Sequence, residues 1–107
     1  MAKYLLVESR DPWEYADVGY FTNMAKDLAS NGNDVTLFLI QNGVFMARKG
    51  ANPSPLNGLS GVKVVADEFC LKERAIKSDN LTAGVSITEV GSLVDMLLED
   101  GVKAVWH

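Results

Sequence analysis

Few residues in this chain are able to carry chemistry. Cys70 is the sole cysteine and His107 the sole histidine, and His107 stands last. One cysteine excludes an intrachain disulfide and a cysteine-built zinc site. It leaves thiol exchange with a second molecule as the covalent chemistry open to the chain. A Ser-His or Cys-His couple would have to recruit His107 from a position where chains usually fray. Cys70 follows Asp67 by three residues. With Asp67 as a helix cap, Cys70 becomes the third helical residue, where free N–H groups and the helix dipole favour a thiolate. Lys72 and Arg74 add positive charge nearby, while Asp67 and Glu68 favour the neutral thiol, so the spacing leaves the direction of the pKa open. A buried cysteine acting as a small hydrophobe fits the same residues.

Other groups offer weaker chemistry. Asn42-Gly43 follows an apolar run and is able to present N–H groups to an anion, although turn formation accounts for the pair equally well. Glu8, Asp11, Asp67 and Glu68 are candidate carboxylates for magnesium but match no ligand spacing, and no metal or cofactor is expected. There is no G-x-x-x-x-G-K loop and no G-x-G-x-x-G after the first strand, which argues against a nucleotide site. Trp13, Tyr15, Tyr20 and Phe21 form an aromatic cluster on more than one helical face, which points to an oligomer interface before a ligand pocket.

These residues need a scaffold, and the hydrophobic pattern supplies one. Tyr4–Val7 reads as a buried strand. Asp11-Pro12 reads as a helix start, followed by Val18, Phe21, Ala25 and Leu28 on one face and by a stop at Asn31-Gly32-Asn33. Val35–Ile40 is a second strand, apolar enough for burial on both faces. A short helix over Val44–Lys49 and a loop from Gly50 to Gly61 follow, with Pro53 and Pro55 barring regular structure. Val62–Ala66 is a third strand, leading to a helix capped by Asp67 that runs to about Ile76. Leu81–Ile87 holds a fourth strand. Thr88 is the expected cap of a helix striped by Val90, Leu93, Val94, Leu97 and Leu98. Val102–Trp106 is the last strand. Strands alternating with helices predict an α/β fold, a three-layer α/β/α sandwich around a mostly parallel five-stranded sheet with a flavodoxin-like appearance. In such sheets ligands bind beyond the carboxyl ends of the strands, the edge where Asn42, Gly43, Asp67 and Cys70 fall.

Composition bounds the rest. With 107 residues the chain suits one domain, 1–107. Its formal net charge of −4 disfavours nucleic acid, which needs a clustered positive surface. Its apolar runs are all shorter than the roughly 20 residues that cross a bilayer, so no membrane is expected, and the expected compartment is the cytoplasm.

Three segments carry a family resemblance: Leu37-Phe38-Leu39-Ile40-Gln41-Asn42-Gly43-Val44, Asp67-Glu68-Phe69-Cys70-Leu71-Lys72-Glu73-Arg74-Ala75-Ile76 and Asp100-Gly101-Val102-Lys103-Ala104-Val105-Trp106. The chain resembles the DsrE/DsrF/DsrH-like proteins of sulfur relay and sulfur oxidation, including the TusBCD type, over nearly its whole length. That resemblance implies a persulfide sulfur carrier or sulfurtransferase acting through a cysteine, with sulfur donor and acceptor proteins as partners. It also implies assembly into homo-oligomers: dimers, trimers or hexamers. Cys70 is then the catalytic candidate, with Asp67, Asn42, Gly43 and Arg74 as binding candidates. One departure stands out. Aligning Arg74-Ala75-Ile76 with the family's R-G-I puts Asp67 at the usual persulfide position, and Cys70 falls about one helical turn later. A non-catalytic binding or assembly subunit of the same fold, lacking the usual cysteine, is the alternative. Ala75 is a second departure, standing where the family has glycine.

Overall fold

A computed structural model describes residues 1–107. Five strands form one sheet: β1 (Lys3–Glu8), β2 (Asp34–Leu39), β3 (Val62–Asp67), β4 (Val85–Thr88) and β5 (Val102–Trp106). Every pairing is parallel and the order is β4-β3-β2-β1-β5. The three central strands are the most apolar, because both of their faces are covered. Leu5, Leu6, Leu37, Phe38 and Leu39 are fully buried there.

The topology places the helices. Strand order runs one way from β1 to β4 and then returns across the sheet to β5. Right-handed crossovers therefore put α1 (Val18–Ser30) and α2 (Glu68–Glu73) on one face and α3 (Val90–Leu98) on the other. A 3-10 helix, Gln41–Ala47, packs against α2 at the carboxyl edge. It begins earlier and winds tighter than the short helix expected over Val44–Lys49.

The fourth strand covers Val85–Thr88 rather than Leu81–Ile87, because Leu81 and Thr82 bond to Arg48 and Ala47 instead of joining the sheet. Three further expectations need correction. The first helix does not start at Asp11-Pro12. The Asp11 carboxylate caps a single turn instead, accepting from the N–H groups of Trp13 and Glu14 at 2.9 and 2.8 Å. The helix proper waits until Val18, and its cap residue Asp17 makes no capping bond because its carboxylate is held by His107. The α2 helix stops at Glu73 rather than near Ile76. Ala75 adopts a left-handed φ of 55°, and the Ile76 N–H reaches back to the Leu71 carbonyl. The third correction concerns α3, whose cap position is Glu89 rather than Thr88, with the Thr88 hydroxyl bonded to that of Ser92.

Candidate functional site

Cys70 sits where the pattern placed it, as the third residue of a helix capped by Asp67. The Asp67 carboxylate accepts from the Cys70 N–H at 2.9 Å through Oδ2. Its other oxygen, Oδ1, is buried with no hydrogen-bond partner. The Cys70 sulfur is 3.1 Å from the backbone N–H of Gln41, which donates to it. Gln41 holds a left-handed φ of 48°, a strained conformation for a non-glycine residue, at the point where its N–H meets the sulfur. Arg74 closes the cluster: Nε donates to the Asn42 side-chain oxygen at 3.1 Å and Nη1 to the Cys70 carbonyl at 3.2 Å. Its guanidinium also lies over the Phe45 ring.

The electrostatics of the cluster favour a thiol. Burial pushes the Cys70 pKa up and the Asp67 carboxylate adds to that, outweighing the Gln41 N–H and the more distant Arg74 charge. Lys72 does not assist the sulfur, since it turns to Glu68 one helical turn away. Cys70 is only 9% exposed and Asp67 3%. The largest concavity, about 650 Å³, lies along the outer side of α2 against Leu71, Ile76 and Ile87 and does not reach either residue.

The structure thus brings together Cys70, Asp67, Asn42 and Arg74. Gly43 belongs to the neighbouring contact instead. Its N–H is used within the turn, donating to the Ile40 carbonyl, so the Asn42-Gly43 pair is turn chemistry. Gly43 has no room for a side chain, because a Cβ would run into the carbonyl oxygen of Glu8. The magnesium cluster does not form. Glu8, Asp11, Asp67 and Glu68 each serve a different local bond, and no group of three or more His, Cys, Asp or Glu is arranged to hold a metal.

A second constellation was not anticipated. The parallel ladder continues past β5, with the His107 N–H donating to the Val7 carbonyl and the Ser9 N–H to the His107 carbonyl. That brings the His107 ring beside Glu8, which is fully buried. Nδ1 lies 2.9 Å from both Glu8 oxygens and Nε2 3.0 Å from the Asp17 carboxylate, while the ring stacks on Phe21. Burial raises the Glu8 pKa, partly offset by His107. Burial alone would lower the His107 pKa, but the two carboxylates outweigh it and the net shift is upward. With both ring nitrogens engaged by carboxylates, the His107 ring is a clamp joining β1, the end of β5 and the start of α1 rather than a free base.

The apolar stripe of α3 is only partly used. Leu93 is buried, but Val90, Val94, Leu97 and Leu98 remain exposed, Leu98 at 77%. Trp106 on the adjoining edge strand is 59% exposed. In the aromatic cluster Phe21 is core, whereas Trp13, Tyr15 and Tyr20 are exposed. No helix is long and apolar enough to cross a membrane.

Comparison with known proteins agrees with this architecture. The E. coli ychN protein superposes with a TM-score of 0.81 at 23% identity, over 98% of this chain and 100% of that one. MTH1491 from Methanobacterium thermoautotrophicum, a protein of unknown function, superposes with a TM-score of 0.83 at 16% identity over the whole of both chains. An uncharacterized protein of Methanopyrus kandleri, MK0008, is 30% identical over 77 residues, a match that spans 64% of that protein's length. A model of the DsrE/DsrF-like family matches residues 2–105, nearly all of the sequence whose sheet and helices are described above, and the chain belongs to that family.

Proposed function

We propose that this chain serves sulfur metabolism, the field of its family, as a non-catalytic binding and assembly subunit rather than as a persulfide carrier. One observation carries the reading: Asp67, which the resemblance aligns with the family's persulfide position, is spent as a helix cap, and the adjacent Cys70 thiol is buried, its pKa raised by that burial and further by the Asp67 carboxylate. A sulfur carrier must present a thiolate to a donor, and burial beside a carboxylate works against that. The exposed faces of α3 and β5 support the assembly half of the reading. Val90, Val94, Leu97, Leu98 and Trp106 form an apolar surface suited to further copies of the chain or to sulfur-relay proteins.

A persulfide carrier acting through Cys70 is the second reading, favoured by the Gln41 N–H aimed at the sulfur, a donor able to stabilise sulfur-centred negative charge. In that case the Cys70 thiolate attacks the outer sulfur of a donor persulfide, the donor leaves as its thiolate, and Cys70 keeps the extra sulfur until an acceptor thiol removes it. Mass spectrometry after incubation with a persulfurated donor separates the two. The subunit reading expects Cys70 to stay unmodified and the chain to elute as a defined oligomer that Leu98→Glu dissociates. A gain of about 32 Da, one sulfur, at Cys70 would overturn it in favour of the carrier. A strictly monomeric wild type would remove the assembly half.

A further inference from the structure

Just past the end of the 3-10 helix whose first residue, Gln41, meets the Cys70 sulfur, Arg48 is held in an unusual way. Its guanidinium lies 5.5 Å from the Trp13 ring centre and 5.0 Å from that of Phe45, and its Nε donates to the Phe45 carbonyl at 2.9 Å. The backbone beneath is fixed as well. Arg48 forms an antiparallel bridge with Leu81, the Lys49 N–H donates to the Asn80 carbonyl at 2.8 Å, and the Thr82 N–H donates to that of Ala47 at 2.8 Å. Trp13 is anchored by its indole N–H on the Asn52 carbonyl at 3.0 Å. A half-buried arginine is thereby locked on two rings and a carbonyl, with its terminal Nη groups making no hydrogen bond inside the protein.

No counter-charge accompanies it. The ion pairs of the structure use Lys3, Lys72, Arg74 and His107, and none uses Arg48 or Lys49. Arg48 and Lys49 both line an open cleft of about 390 Å³, whose remaining walls are Trp13, Gly50, Ala51, Asn52 and Asn80, with no acidic residue among them. Stacking on an aromatic ring fixes the plane of a guanidinium and leaves its edge free, the geometry that meets a carboxylate or phosphate with two parallel N–H bonds. Lys49 adds a point charge, and the Asn52 and Asn80 amides add neutral donors.

We infer that the cleft between Trp13 and Arg48 is a binding site for the oxyanion group, phosphate or carboxylate, of a small molecule. The site shares the Phe45 ring with Arg74 of the Cys70 cluster, but neither Cys70 nor Arg74 lines the cleft, and the assignment does not depend on what that thiol does. The test is a two-dimensional NMR titration of the full chain with inorganic phosphate and, separately, with acetate, at constant ionic strength held by sodium chloride. The expected result is saturable movement of the Trp13 indole and of the 48–52 amides with one or both anions. Affinity falls about tenfold in Arg48→Gln, and about threefold in Lys49→Gln, whose exposed side chain leaves the fold intact. The two arms distinguish a tetrahedral from a planar group. No saturable shift up to about 20 mM of either anion, movement that chloride reproduces, or unchanged affinity in Lys49→Gln together with Arg48→Gln overturns the assignment.

Discussion

Removing the His107 ring tests the clamp at the carboxyl edge most directly. In His107→Ala, Glu8 keeps its buried place but loses the cation that faces both of its oxygens. An unpaired buried carboxylate neutralises rather than stay charged, so the cost is that of protonating Glu8 in the fold while it is ionised in the unfolded chain. Starting from an ordinary value of 4.5, that cost is about 3 kcal/mol at pH 7 and below about 1 kcal/mol at pH 5. Loss of the stack on Phe21 adds about 1 kcal/mol at either pH. Urea unfolding of wild type and variant at the two pH values should therefore show a penalty that grows by about 2 kcal/mol on going to neutral pH. Adding Glu8→Gln should abolish that growth, because an amide does not titrate. In the wild type the sign for His107 follows from its raised pKa: its stabilisation is complete below the ordinary value of 6.5 and fades as pH rises through the higher folded value. An equal penalty at both pH values, or a pH slope that survives in the Glu8→Gln background, would refute the reasoning.

Other substitutions probe the remaining strained and crowded positions. Ala75→Gly relieves a left-handed φ at the end of α2 and should raise stability by about 0.5–1 kcal/mol in thermal or urea melts. Gly43→Ala forces the 3-10 helix away from the Glu8 carbonyl and should cost about 1–3 kcal/mol in the same assay. Asp67→Asn keeps a capping oxygen but removes the negative charge beside the thiol. Iodoacetamide should then alkylate Cys70 about threefold faster at constant pH, without loss of the α2 helix by circular dichroism.

Four of the five strands and the cap at Asp67 were legible because each rests on local pattern: a continuous apolar run, or an acceptor side chain three residues before the N–H that it caps. The start of α1 was not legible. Asp11-Pro12 carries a true capping signal, and the Asp11 carboxylate does cap a turn, but a single turn obeys the same local rule as a full helix. The helix proper starts at Val18, and its cap residue Asp17 bonds to His107, ninety positions along the chain. The Glu8–His107 contact was missed for a related reason. Whether two strand ends touch depends on strand order, and nothing in the residues of β1 or β5 alone states that they are neighbours. The stripe of α3 misled in another way. Its periodicity correctly gave a helix, but hydrophobic spacing does not say whether the apolar face meets the chain's own sheet or another molecule.

The two ends of α2 bear on each other. Just past its C-terminal end, Ala75 adopts a left-handed φ although it is not glycine. The helix stop is thus set by packing, with the Ile76 N–H returning to Leu71 and Ile76 buried behind it. At the other end of the same short helix, Asp67 supplies a cap that a cysteine supplies poorly. The capping carboxylate strengthens the start of α2, while an alanine held at a left-handed φ weakens its end. At the cap, burial raises the Cys70 pKa and the Asp67 carboxylate adds to it, so the group that fixes the start of α2 also favours the thiol over the thiolate.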